Sequence, residues 1–152
     1  MNPYTKDNQS MHDRLEWPDG RDFAFTIFDD TDRATVENVK PVYDFLGEQG
    51  YRTTKSVWPI AGPLDPVIPG ETCENPEYLK WLLDIQSRGF EIGYHLATYH
   101  TSDRATSLAG LRAFESMFGH MPRSHANHFD NAEAIYWGAA RLSGINRWLY
   151  LL

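Results

Sequence analysis

The chain has 152 residues, of which 41% are hydrophobic and 23% are charged, and its net charge is -7. This length suits one domain with a real core, and the composition argues against disorder over most of it. The acidic balance makes nucleic acid an unfavourable partner, and no apolar run approaches the roughly 18 residues that a membrane span requires. We therefore expect a globular region over 19–152 that follows a polar, flexible segment, residues 1–18.

Cysteine usage and the N-terminal sequence bear on the compartment. The single cysteine, Cys73, excludes an intrachain disulfide and fits a reducing environment. The N-terminus lacks the apolar stretch of a signal peptide. We expect a cytoplasmic protein, or a secreted one whose signal has been removed.

The predicted elements alternate strands with helices along the chain. An aromatic and β-branched run predicts a strand over about 23–28, and further strand candidates fill the gaps between helices over about 52–58, 90–94, 121–125 and 145–151. Apolar residues spaced three or four apart predict helices over about 33–49, 76–88, 103–118 and 131–143. Five strands alternating with four helices indicate an α/β fold with a parallel sheet. Residues 58–74, rich in proline and glycine, predict a long loop.

Carboxylates and imidazoles gather where three of the predicted strands end. They are Asp29, Asp30, Asp32, His95, His100, His125 and His128. Ligands of parallel α/β folds bind beyond the carboxyl ends of the strands, so we expect one shared site. Adjacent buried carboxylates are costly unless a cation balances them, and Asp and His are ligands of zinc. One Asp and two His would leave a coordination position for water, and a second Asp could act as general base.

Each of these residues also has an ordinary structural interpretation. Asp29 and Asp30 could cap the helix that follows them. His95 could be a buried histidine with satisfied hydrogen bonds, and the later histidines could be loop residues. Their joint arrangement at matching strand ends favours a metal or catalytic site.

Two stretches resemble the motifs of a known family. Residues 25–30, Phe-Thr-Ile-Phe-Asp-Asp, resemble the Thr-Phe-Asp-Asp motif of the polysaccharide deacetylases, carbohydrate esterase family four. Residues 89–95, Gly-Phe-Glu-Ile-Gly-Tyr-His, resemble the stretch that enters that family's two-histidine motif. The resemblance covers roughly 22–130 and implies that 19–152 is the N-terminal part of a catalytic domain. The implied fold is a distorted (β/α) barrel, incomplete in this chain, with about five strands and four helices.

The resemblance also implies roles for individual residues. Asp29 would be the catalytic base, and Asp30, His95 and His100 would bind one divalent ion, with zinc as the expected metal. The implied reaction removes an N- or O-acetyl group from an acetylated carbohydrate. The third motif is matched only loosely, and the residues expected to bind substrate or support the site are Arg123, His125, Asn127 and His128. The general acid histidine of the family is expected beyond residue 152, and a homo-oligomer is one way to complete the barrel.

This chain departs from the family's pattern at two positions. His95 and His100 lie five residues apart instead of four, and Thr31 replaces the glycine that follows the Asp pair. On a regular helix a separation of five would turn the two histidines apart, so a loop or bulge is expected between them.

Two other functions stay open at the level of the sequence. The first is a metal-dependent hydrolase of another C–N or ester bond, whose mark would be a second metal bridged by Asp29 and Asp30. The second is a non-catalytic carbohydrate-binding or interaction domain, whose marks would be aromatic residues along a groove and no bound metal. Neither a nucleic acid nor a membrane is expected as a partner.

Overall fold

The structure is a computed structural model that describes residues 17–129, 131, 139 and 142–151. Within these residues the elements are a 3-10 helix (Pro18–Gly20), β1 (Phe28–Asp29), α1 (Val36–Glu48), β2 (Thr54–Val57), α2 (Pro76–Ser87), β3 (Glu91–Tyr94), α3 (Arg104–Phe118) and α4 (Gly144–Tyr150). They form a mixed α/β structure with an open, parallel sheet in the order β1-β2-β3. The predicted α/β class is confirmed at this level. None of the helices in the described ranges is long and apolar enough to cross a membrane.

The register of the sheet aligns the carboxyl ends of its strands. The aligned pairs are Phe28↔Thr54 and Asp29↔Lys55 between β1 and β2, and Thr54↔Glu91 to Val57↔Tyr94 between β2 and β3. Beyond β3, Tyr94 forms a single parallel bridge with His125. The strand predicted over 121–125 is therefore reduced to this bridge. The segments after Asp29, Val57, Tyr94 and His125 leave the sheet at one edge.

The helices begin where side chains satisfy the free backbone N–H groups of their first turns. Thr35 and Asn38 form a reciprocal capping box at α1. Asn75 caps α2, with Pro76 in the first turn, and Asp103 caps α3. The helices α1, α2 and α3 and the sheet contribute to a core of large buried side chains that includes Tyr43, Val57, Tyr78, Leu82, Ile85, Ile92 and Phe114.

Two predicted strands differ from the structure. Of residues 23–28 only Phe28 is in a strand, and the side chains of Phe23 and Phe25 are 74% and 80% exposed. The prediction of a strand over 145–151 is wrong, because Gly144–Tyr150 is a helix. A short apolar run fits either structure, and periodicity alone cannot separate them. The helix predicted over 131–143 and the flexible segment fall largely outside the described residues.

Candidate metal centre

Three side chains converge at the carboxyl edge of the sheet. Asp32 lies in the loop after β1, His95 directly follows β3, and His128 follows the bridge at His125. The Oδ1 atom of Asp32 is 3.3 Å from Nε2 of His128 and 3.7 Å from Nε2 of His95. One ligand atom from each residue lies within 4.8 Å of the other two. We call these three residues the triad.

The backbone around His95 fixes the position of its ring. Its N–H group donates to the carbonyl of Val57 at 3.0 Å, which continues the parallel pairing one residue past β3. The next residue, Leu96, has a φ of 67°, which turns the chain sharply. A left-handed conformation costs a leucine about 1–2 kcal/mol, so the surrounding packing must hold it. His95 is thus the last residue aligned with the sheet before the chain turns away.

The triad fits a divalent metal ion. Four ligands at about 2.0–2.1 Å from a tetrahedral ion lie about 3.4 Å from one another, close to the distances around Oδ1 of Asp32. That oxygen and Nε2 of His95 are buried and form no hydrogen bond with any described residue. A cation would supply the missing partner. One carboxylate and two imidazoles suit zinc and leave a fourth position open.

The electrostatics of the triad also favour a bound cation. Burial raises the pKa of Asp32 to about 6, and the negative charge of Asp30 adds to this effect. Burial lowers the pKa of His95 to about 4, although the charge of Asp30 opposes the change. The His95 ring is therefore neutral near pH 7, as a ligand must be. A cation would offset the repulsion between the neighbouring carboxylates.

Asp30 brings a second carboxylate to the edge of the triad. Its Oδ1 atom accepts the backbone N–H of Asp32 at 3.1 Å and lies 3.2 Å from Nε2 of His95. The side chain is 63% exposed, unlike the buried rings beside it. Asp30 is therefore open to solvent while it lies next to the triad.

Asp29 is held by partners outside the triad. Its Oδ2 atom accepts the hydroxyl of Tyr43 at 2.9 Å and lies 3.2 Å from Nζ of Lys55. Its backbone carbonyl accepts the hydroxyl of Ser56 at 2.7 Å. Burial lowers the pKa of the Lys55 ammonium, and the nearby charge of Asp29 opposes this. These contacts fix the start of the loop that carries Asp30.

The indole of Trp58 forms the inner wall of the site. It is fully buried, and its ring centroid lies 6.0 Å from that of His95 and 5.2 Å from that of His128. The predicted loop over 58–74 folds back on it: a Cβ atom on Gly70 would lie 2.9 Å from the indole. Trp58 thereby shields the two imidazoles from water on their inner side.

The structure places the other predicted site residues outside the triad. The Nε2 atom of His100 lies 2.8 Å from the carbonyl oxygen of Leu64, so His100 contacts the long loop over 58–74. His125 is exposed, and its Nε2 lies 3.1 Å from Oδ1 of Asn127. Arg123 borders a separate groove near Gly89 and Glu91, at the amino end of β3. Their predicted roles in metal or substrate binding stay predictions.

Sequence reasoning assigned no metal-binding role to Asp32. The available signal was its place directly after the first predicted strand, at the edge where ligands of parallel α/β folds bind. His128 was predicted as a supporting residue, and the structure places it in the triad.

A cleft of about 300 Å³ opens beside the triad. Its walls are formed by Pro63, Leu64, Val67, Tyr99, His100, Thr101, His128 and Phe129. The ring of His128 belongs to both the triad and the cleft, so a molecule at the triad would extend into this space. Comparison with protein-family models, with curated proteins and with solved structures found no match.

Proposed function

We propose that the protein is a metal-dependent hydrolase that removes N- or O-acetyl groups from a carbohydrate, with zinc as its metal. The observation that carries the proposal is the triad of Asp32, His95 and His128 beside an open cleft. A divalent ion held there would lower the pKa of a water molecule and polarise the acyl carbonyl. The motif resemblance at residues 25–30 and 89–95 supports the choice of an acetylated sugar as substrate.

The three residues of the triad would hold the ion, and a neighbouring carboxylate would accept the proton of the attacking water. The resemblance assigns that role to Asp29, but its Oδ2 atom already accepts Tyr43 and faces Lys55. Asp30 has its Oδ1 atom 3.2 Å from Nε2 of His95 and is open to solvent. We therefore propose Asp30 as the base, with Asp29 as the alternative.

We also propose that the open sheet belongs to a distorted (β/α) barrel. Its three strands are parallel, and each is followed by a helix, which is the repeating unit of such barrels. The triad lies at the carboxyl edge, where the sites of these folds are found.

The test is acetate release by the zinc-loaded chain from chitin oligosaccharides, peptidoglycan fragments and acetylated xylan. We expect release that stops when a chelator removes the zinc and that Asp32→Ala abolishes. Loss of a general base costs about 10²–10⁴-fold. Asp30→Asn should show that loss and Asp29→Asn a smaller one if Asp30 is the base. One zinc per chain, dependent on Asp32, with no acetate released from any of these substrates, would contradict the proposal.

A second candidate, a non-catalytic carbohydrate-binding domain, is favoured by the aromatic rings of Tyr99 and Phe129 in the cleft. Its mark in the same experiment is binding of the oligosaccharides without acetate release and without bound zinc. A two-metal hydrolase would need Asp29 as a bridge, and its engagement by Lys55 and Tyr43 counts against this.

A further inference from the structure

The cleft beside the triad shares one wall with it. The His128 ring lines the cleft, and its Nε2 atom lies 3.3 Å from Oδ1 of Asp32. The long loop also lines the cleft, through Leu64 and Val67. A group bonded to a carbonyl at the triad would therefore enter the space between His128 and this loop.

The walls of the cleft are mainly apolar. Pro63, Leu64, Val67 and Phe129 contribute hydrocarbon surface. The side chains of Leu64 and Val67 are 71% and 79% exposed, so an apolar ligand would remove their surface from water.

Some polar groups in the wall of the cleft already have partners within the protein. The Nε2 atom of His100 lies 2.8 Å from the carbonyl of Leu64, and Thr101 has an interaction partner within the protein. A sugar ring carries many hydroxyl groups that must be paired when they are buried. A hydrocarbon chain has no hydroxyl groups that need partners, so the cleft suits an alkyl chain better than a sugar ring.

We propose that this cleft binds the hydrocarbon part of an acyl group longer than acetyl, so that longer acyl groups such as butyryl or hexanoyl are preferred substrates. The inference rests on the proposed hydrolase function and names the substrate class of the same site. In the reaction the oxygen of water bonds to the acyl carbon and the acyl C–N or C–O bond breaks. One proton passes to the leaving nitrogen or oxygen, so the products are a short-chain carboxylic acid and an amine or alcohol.

The first test measures binding without metal or turnover. The metal-free full chain is titrated with acetamide, butyramide and hexanamide, and binding is followed by NMR at Tyr99 and Phe129. Each buried methylene should strengthen binding by up to about fourfold. The double variant Leu64→Asn, Val67→Asn should lose this dependence on chain length. Equal affinity for acetamide and hexanamide, or an unchanged dependence in the double variant, would overturn the inference.

A matched control separates the cleft from general surface hydrophobicity. Phe23→Asn removes a side chain that is 74% exposed and does not line the cleft. It should leave the chain-length dependence intact. Loss of the dependence in this variant would mean that the amides bind elsewhere, and the inference would fall.

The second test uses the zinc-loaded chain on glucosamine acylated with acetyl, butyryl or hexanoyl groups. We expect kcat/KM to rise with chain length in the natural chain and to level off in the Leu64→Asn, Val67→Asn variant. Fastest hydrolysis of the acetyl compound would overturn this inference and leave the proposed function standing. No hydrolysis at any chain length, with zinc bound, would overturn the proposed function instead.

Discussion

Replacing His128 with alanine tests which histidine binds the metal together with His95. The triad requires His128, whereas the resemblance implies His100. The change removes the Nε2 atom 3.3 Å from Oδ1 of Asp32. The matched control is His100→Ala, which removes a ring whose Nε2 atom lies 2.8 Å from the Leu64 carbonyl. Free zinc at about 100 times its dissociation constant should stabilise the natural chain by about 2.7 kcal/mol. For a chain of this size that is a rise in Tm of roughly 5–11 °C.

Loss of one of three ligands should weaken zinc binding at least about 100-fold, since loss of an outer partner alone costs 10–100-fold. At the same zinc concentration the stabilisation of the His128→Ala variant then falls to about 0.4 kcal/mol, roughly 1–2 °C. The assay is thermal unfolding with zinc and with a chelator, and the chelated Tm of each variant controls for folding. A zinc shift that survives in His128→Ala and disappears in His100→Ala would refute the assignment of the triad.

Three further predictions concern stability, measured by urea unfolding. Lys55→Met should cost about 2–4 kcal/mol, because it strips a partly buried carboxylate of its partner, whereas the exposed Lys40→Met should change little. Gly110→Ala should destabilise the chain by about 1–3 kcal/mol, because its Cβ would lie 2.5 Å from that of Ala97, and Ala97→Gly should recover part of the loss. Burial raises the pKa of Cys73 to about 12, above its usual 9.0. The unfolded thiol therefore ionises first, and Cys73 should lower stability by up to about 1.4 kcal/mol per pH unit from pH 9 towards 12. Between pH 9 and 10, below the usual pKa of tyrosine, the slope should be shallower in Cys73→Ala; above pH 10 the buried Tyr78 and Tyr94, whose pKa values are also raised, keep part of it.

The predictions that held depend on interactions between near neighbours in the sequence. The cap at Asn75 with Pro76 and the left-handed Gly119 mark the ends of helices, and the structure has those helices within a residue or two. The wrong prediction over 145–151 concerned a short stretch in which five of the seven residues are apolar or aromatic. A strand needs a neighbouring strand to pair with, and a single sequence does not show which one is available.

The sequence predicted where the site lies, but only some of the residues that form it. Parallel topology predicts that the residues after the strands share one edge, and His95 lies there as expected. Which later histidine meets it depends on the path of the loops after Tyr94 and His125. His100 instead contacts the carbonyl of Leu64, which lies 36 residues away in the sequence. A contact between residues so far apart leaves no local signal in the sequence.

The three aspartates have different surroundings although they lie within four consecutive residues. Asp29 is the last residue of β1, whereas Asp30 lies in the loop that follows the strand. Asp29 is aligned with Lys55 in the register of β1 and β2, and partners in register lie on the same face, which accounts for their ion pair. Asp30 and Asp32, two residues apart, face the imidazoles. In the proposed function, the Asp-Asp-Thr-Asp sequence would supply an anchor in the sheet, a solvent-open base and a metal ligand from four consecutive residues.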